Sequence, residues 1–393
     1  MIVAIADDYT GAAEVAGVGH RYGLRAEVQT RFRPAPGAEL VVVDTASRSL
    51  SPAEAAQATG EAGRLVAQAR PELVFKKVDS VLRGPVLAEL EALMAALGCP
   101  RALLVAGHPQ AGRTIAGGTC YVAGVPLAET DFTNDPEYPA RSSRVLDLLG
   151  PGSQPVVLAP VGTRLAGAGT LVAEVTRERD LASWAQALGA DALPAGGAAF
   201  FAALLASRGH RPRPSAPPAT IAGKALLVSG SACDYSRTEL ARLKQAGLPV
   251  AEMPVGLFSE ESGELLRAWV EQVTAGLQQA GVAVLAVGGE LRRGDGLAPR
   301  LCRLTAAAVC RVLQEVPVTH LLIAGGATAS AIMRSQGWHR ASVACEYSQG
   351  VVGLRPQAGT PHLTTKPGSY GWPGELVSCL SGPAKGDFAG DAE

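Results

Sequence analysis

Four short segments in the first third of the chain crowd carboxylates, cations and hydroxyls into places where an apolar run gives way to a turn. Asp7-Asp8-Tyr9-Thr10-Gly11-Ala12 follows Ile2–Ala6, and Asp44-Thr45-Ala46-Ser47-Arg48 follows Leu40–Val43. Lys76-Lys77-Val78-Asp79-Ser80-Val81-Leu82-Arg83-Gly84 closes a run that begins at Leu73, and Gly107-His108-Pro109-Gln110-Ala111-Gly112-Arg113 follows Ala102–Ala106. A charged group at such a transition costs free energy unless it is paired or binds something. Each segment also has a plain structural use, with Asp8 as a helix cap and Lys77 with Asp79 as an ion pair. Brought to one rim, they make a pocket for a small polyhydroxylated anion. Arg48 and Lys77 would hold a carboxylate there, while Asp8 and Asp79 would bond hydroxyls.

A second group of segments is built from glycine. Ser229-Gly230-Ser231 ends one apolar run, and Gly325-Gly326-Ala327-Thr328 ends another and enters a helix. Lys366-Pro367-Gly368-Ser369-Tyr370-Gly371 adds a third such loop with a cation. Backbone N–H groups at turns of this kind cradle phosphate oxygens, although any one of them serves equally as a simple turn. The chain has no Gly-x4-Gly-Lys-Ser/Thr loop, and Gly17–Gly23 lies late in a helix with the wrong spacing for a dinucleotide fingerprint. That counts against a nicotinamide dehydrogenase. The missing Gly-x-Ser-x-Gly elbow counts against an acyl-transfer triad. The remaining histidines are scattered and suit surface or packing roles.

The elements that must position these loops alternate. Strands are expected at Ile2–Ala6, Leu40–Val43, Leu73–Val78, Ala102–Ala106, Val156–Leu158 and Thr170–Glu174. Helices are expected at Thr10–Tyr22, Val86–Leu97 and Leu181–Leu188, with a further one opened by Ser51-Pro52-Ala53-Glu54 as a capping box. Gly107–Pro126 reads as loop. Arg208–Pro218, dense in proline and arginine, reads as a linker. After it the rhythm restarts, with strands at Ala225–Val228, Val282–Val287 and Leu321–Ala324 and helices at Arg237–Ala246, Glu264–Gln279 and Pro299–Glu315. Short strands and loops near Tyr347–Leu354 and Leu363–Tyr370 end the chain. The expectation is two α/β domains with mainly parallel sheets and an active-site cleft between them. Residues 1–207 form the first domain, 208–220 the linker and 221–393 the second.

Composition narrows the partners. The 393 residues carry a formal charge of −1, so no global basic field invites nucleic acid or an anionic membrane. Seven scattered cysteines, with no CxxC pair and no zinc-ligand spacing, suit a reducing cytoplasm. The start lacks a positive n-region, and no run approaches the ~20 apolar residues of a membrane span.

These motifs, in this order, resemble the four-carbon acid sugar kinases, a family that includes D-threonate, D-erythronate and 3-oxo-tetronate kinases. The resemblance rests on Asp7–Ala12, Asp44–Arg48, Lys76–Gly84, Pro109–Arg113, Gly118–Thr130, Asp135-Pro136, Gly230-Ser231, Gly325–Thr328 and Lys366–Gly368, and covers nearly the whole chain. It implies an N-terminal domain that holds the acid sugar and a C-terminal domain that holds ATP. By resemblance, Asp8, Arg48, Lys77, Val78, Asp79 and Ser80 contact the substrate. Ser231, Gly325, Gly326, Ala327, Thr328 and Gly368 contact the nucleotide. Ala327 stands where members usually carry an acidic residue, and Pro85 where an asparagine is common.

Phosphoryl transfer needs alignment and charge neutralisation more than covalent chemistry. The expected catalytic residues are Asp8 or Asp79 as proton acceptor and Arg83 or Lys77 to offset developing charge, with Mg²⁺ bridging the ATP phosphates. A diverged, non-catalytic protein that binds a sugar acid and a nucleotide is the alternative. Expected partners are the sugar acid and ATP, with no nucleic acid or membrane, and with a homodimer left open.

Overall fold

The computed structural model describes residues 1–135, 138–213, 223–230, 234–289, 294, 296–356 and 359–381. The chain forms two compact units, Met1–Pro214 and Ser215–Glu393. Most of the expected linker, 214–220, lies outside the described residues.

Unit 1 contains β1 (Ile2–Ala6), α1 (Tyr9–Arg21), β2 (Ala26–Gln29), β3 (Leu40–Asp44), α2 (Pro52–Gln68), β4 (Leu73–Lys77), α3 (Val86–Leu97) and β5 (Arg101–Val105). A small antiparallel sheet follows, formed by β6 (Arg113–Ala116), β7 (Thr119–Val122) and β8 (Val125–Pro126). Then come α4 (Val145–Leu149), β9 (Val156–Ala159), β10 (Gly169–Ala173), α5 (Glu178–Ala187), β11 (Ala192–Gly196) and α6 (Ala198–Ser207). The main sheet runs β2-β3-β1-β4-β11-β5-β10-β9 with every pair parallel. Its central strands are buried along their whole length, as a sheet covered on both faces requires. The Ser51 box forms as expected: the Ser51 N–H donates to Glu54 Oε2 at 3.0 Å, and α2 begins at Pro52.

The expectation omits β2, α4, β11 and α6, and two departures concern strand chemistry. The segment read as loop, Gly107–Pro126, holds the β6–β8 sheet, because its glycines sit at the turns and Thr, Ile, Cys, Tyr and Val sit between them. β11 occupies the middle of the main sheet although Ala-Leu-Pro-Ala-Gly has little strand propensity. Pro194 is accommodated because β11 pairs with β4 only from Ala195 onward, so the missing N–H interrupts no ladder on that side.

Unit 2 contains β12 (Lys224–Ser229), α7 (Asp234–Gln245), β13 (Val250–Glu252), α8 (Gly263–Ala280), β14 (Val282–Ala286) and α9 (Leu297–Glu315). It continues with β15 (Val318–Ala324), α10 (Gly326–Ser335), β16 (Arg340–Ser348), β17 (Val351–Arg355), β18 (His362–Lys366) and α11 (Gly374–Ser381). Its strands run β13-β14-β12-β15-β18-β17-β16, parallel except for the β16–β17 and β17–β18 pairs. Among the described residues no helix is long and apolar enough to cross a membrane.

Candidate active site

Unit 1 gathers the expected acids and cations at the carboxyl ends of β1, β3 and β4, three adjacent parallel strands. Asp8 caps α1: the Gly11 N–H donates to its Oδ1 at 2.8 Å, and the Thr10 hydroxyl donates to its Oδ2 at 2.9 Å. The loop after β3 folds back onto this turn, with the Ser47 and Arg48 N–H groups donating to the Asp7 carbonyl at 2.9 and 3.2 Å. Arg48 then spans both acids. Its Nε and Nη2 donate to Asp7 at 2.7 and 2.9 Å, and its Nη1 donates to Asp8 at 2.8 Å. Where the sequence assigns Arg48 to a substrate carboxylate, the folded chain commits three of its N–H groups to its own acids.

Burial pushes the Asp7 carboxyl upward, but Arg48, with Lys76 and Lys77 behind it, outweighs burial and holds it below the usual carboxylate range. Burial likewise opposes the charge on Arg48, yet Asp7 and Asp8 raise that guanidinium well above its ordinary value.

The loop after β4 wraps around Asp79. The Val81 and Arg83 backbone N–H groups donate to its Oδ2 at 3.1 and 3.3 Å. The Arg83 side chain adds Nε to Oδ2 at 3.1 Å and Nη2 to Oδ1 at 2.8 Å, and its Nη1 reaches Asp135 at 2.8 Å. Burial would raise Asp79, but Arg83, Arg48 and Lys77 together hold it well below the usual range. The expected Lys77–Asp79 ion pair is thus replaced by Asp79–Arg83. Gly84 takes φ +93° and lies against Arg48, where a Cβ would sit 3.2 Å from Arg48 Cγ.

Lys77 donates to the Val78 carbonyl at 3.0 Å and lies 3.6 Å from Glu14. Val78 is buried at the same turn. Beside it Lys76 is fully buried, donating to the Lys77 carbonyl at 3.0 Å and paired with Glu89 at 3.0 Å, while the Ser47 hydroxyl holds the other Glu89 oxygen. Arg113 donates to the Ser80 hydroxyl at 2.7 Å, and the Arg83 and Arg113 guanidinium groups lie 5.6 and 5.9 Å from the Phe132 ring centre. His108 is buried in the same loop as Arg113. Burial first and then Arg113 push it down to about 4, which leaves it neutral near pH 7. The sequence reading thus misses Glu14, Glu89, Asp135 and Phe132 at this site. Asp135 appeared in a motif, but nothing local ties Glu14 or Glu89 to residues on other strands.

Unit 2 places its glycine loops at the ends of β12, β15 and β18, again adjacent parallel strands. Gly325 takes φ +107° and leads into α10, whose first turn holds no acidic residue and exposes Ala327. Thr328 is buried against Gly230, where a Cβ would fall 1.8 Å from Thr328 Oγ1. Only glycine fits there. Gly368 faces open space, with none of the described residues within 4 Å of the point where a Cβ would sit. Ser231 lies outside the described residues. Its neighbour Ser229 is buried, and its hydroxyl has no hydrogen-bond partner among the described residues.

The sequence matches two family models along its length. "Sugar-binding N-terminal domain" covers residues 2–204, and "Nucleotide-binding C-terminal domain" covers residues 226–375. The chain is 31% identical to a D-threonate kinase of Cupriavidus necator over 404 aligned positions, covering 93% of this chain and 94% of that one. It is 36% identical to a D-threonate kinase of Salmonella typhimurium over 203 positions, 47% of this chain and 48% of that one. A solved structure of a Haemophilus influenzae protein of family DUF1537 superposes with a TM-score of 0.66 at 19% identity, covering 97% of this chain and 99% of that one, and so bears on the fold. Both units are thus α/β in the manner of that family. The chain belongs to the family of sugar-acid kinases that join a sugar-binding to a nucleotide-binding domain.

Proposed function

We propose that the chain transfers the γ-phosphoryl group of Mg-ATP to the terminal hydroxyl of a four-carbon sugar acid of the threonate, erythronate or 3-oxo-tetronate type. The observation that carries this reading is the charge network on the ends of β1, β3 and β4, where Asp7 and Asp79 are held ionised beside Arg48 and Arg83. Such a rim can bond several hydroxyls and one carboxylate in a fixed pose. The substrate contacts proposed are Asp8, Arg48, Lys77, Val78, Asp79 and Ser80.

We assign the proton acceptor to Asp8. Asp79 accepts four N–H donors and sits well below the usual carboxylate range, which makes it a poor base. Asp8 accepts three donors among the described residues, the Thr10 hydroxyl and Arg48 Nη1 at Oδ2 and the Gly11 N–H at Oδ1, so Oδ1 carries one and can take a substrate hydroxyl. As the substrate hydroxyl oxygen bonds to the γ-phosphorus, its proton passes to Asp8 and the bond to the β-phosphate oxygen breaks, releasing ADP. Arg83 is held between Asp79 and Asp135, so Lys77 is the better placed of the two cations to offset charge.

The glycine turns suit ATP, with Gly325, Gly326, Ala327, Thr328, Gly368 and Ser231 as proposed contacts. The Ser229 hydroxyl, which has no partner among the described residues, supports a polar ligand at this end of β12. Mg²⁺ enters with the nucleotide as substrate. Bound with the nucleotide, it would offset the charge on the phosphates. Cys99, Cys120, Cys302, Cys310 and Cys345 are free thiols, which suits a reducing compartment, and we place the protein in the cytoplasm.

Asp8→Asn and Asp79→Asn test the assignment. Asp8→Asn should lower kcat by about 100-fold or more, the usual scale of general-base removal. Wild-type turnover in Asp8→Asn would refute it. Binding of both ligands with no ADP release would instead favour a non-catalytic binder, consistent with the absent acid at Ala327.

A further inference from the structure

Lys366 is the last residue of β18 and is fully buried, a rare setting for an ammonium. Its Nζ donates to the Tyr370 carbonyl at 2.6 Å, lies 3.3 Å from Glu239 Oε2 on α7 and sits 5.1 Å from the centre of the Trp372 ring. Its own carbonyl accepts the Gly325 N–H at 3.0 Å. These contacts reach three pieces of unit 2. One is the loop that carries Gly368, the second is the turn that opens α10, and the third is the helix that follows the loop after β12. A lysine in a glycine-rich loop invites a role as phosphate cation. Here the ammonium is enclosed by a carbonyl, a carboxylate and an indole face, which suits holding the loops together.

The far end of the Gly368 loop is fixed as well. The Tyr370 ring packs on Gly350, where a Cβ would lie 2.8 Å from Tyr370 Cε2. Gly368 itself is left facing open space between two anchored ends. Burial raises the Glu239 carboxyl while Lys366 opposes that rise, so each charge depends on the other for its place in the interior.

We propose that Lys366 is a positioning residue of the nucleotide site, setting the spacing between the Gly368 loop and the Gly325–Thr328 turn and thereby ATP affinity, without contacting phosphate. This rests on the nucleotide reading above. The test uses the full chain as wild type, Lys366→Met, Glu239→Gln and the double variant, each with steady-state kinetics and calorimetric titration of Mg-ATP. Lys366→Met should raise both the KM and the Kd for ATP by about 10-fold or more, the scale expected on losing a charged hydrogen bond. The KM for the acid and kcat should stay within about 2-fold, because unit 1 is untouched. A purely structural role would instead lower the active fraction and leave both KM values alone, and that result in folded Lys366→Met overturns the proposal. Should Lys366→Met not fold, Glu239→Gln carries the test on the same criterion, with a rise in ATP KM of about 3-fold expected and no change refuting it. A wild-type chain that binds no ATP overturns the nucleotide reading and this inference with it.

Discussion

Replacing Arg48 with methionine is the sharpest perturbation of the unit 1 rim. The side chain makes three hydrogen bonds of 2.7, 2.8 and 2.9 Å to Asp7 and Asp8, which are 2% and 8% exposed. Without the guanidinium, two adjacent carboxylates remain buried with no cation between them. Removing one partner of a buried pair typically costs about 3–5 kcal/mol. At about 2–4 °C per kcal/mol for a unit of this size, the melting temperature at pH 7 should fall by roughly 10 °C. The pH dependence supplies the stricter check. In the wild type, Asp7 and Asp79 are held below their ordinary values, so their contribution is present above the unfolded carboxylate range and is lost as pH falls through the folded pKa values. In Arg48→Met, burial acts on Asp7 without its main opponent, so its carboxyl moves upward and protonation favours the folded state. The gap in melting temperature between variant and wild type should therefore narrow as pH falls from about 7 to about 5. Circular dichroism melts across that range measure it. A gap below about 2 °C, or one that does not change with pH, would show that Arg48 does not hold these acids in the interior.

Three further outcomes follow from the same geometry. His320 stacks on His362 with ring centres 5.3 Å apart, and burial followed by that neighbour pushes His320 from 6.5 down to about 4. The unfolded chain then takes the proton first, so unit 2 should lose stability as pH falls from about 6.5 to about 4, read as amide exchange in β15 and flattened in His320→Gln. Gly230→Ala should force Thr328 aside at a cost of about 1–3 kcal/mol and raise the ATP KM selectively; an unchanged KM contradicts the close approach of Gly230 to Thr328. Asp135→Asn should free one N–H of Arg83 and lower kcat less than Asp79→Asn does, since Asp79 holds Arg83 through two side-chain contacts.

Much of the fold was legible because its signals are local. Ser51-Pro52-Ala53-Glu54 specifies its helix start through contacts within four residues, and Val86–Leu97 is bounded by Pro85 and by Gly98 in the left-handed region. Asp8 was readable as a cap for the same reason. β11 was not, because an Ala/Pro/Gly strand takes its stability from the two neighbours that flank it rather than from its own composition. The candidate site divides in the same way. Its acids and cations were visible as residue types at strand ends, but their partners were not. Arg48 lies some forty positions from Asp7, and Glu89 reaches Lys76 from a helix that sequence marks only by its span. The buried role of Lys366 was hidden too, since a cation beside glycines looks like a phosphate ligand until its partners on α7 and in the following loop are in view.

Everything above converges on one activity, movement of a phosphoryl group from ATP to a small sugar acid. The direct test is ADP release from Mg-ATP by the full chain against a panel of four- to six-carbon sugar acids. Turnover is expected on a four-carbon acid and is lost in Asp8→Asn. No ADP release on any acid of the panel, from folded protein, would contradict it.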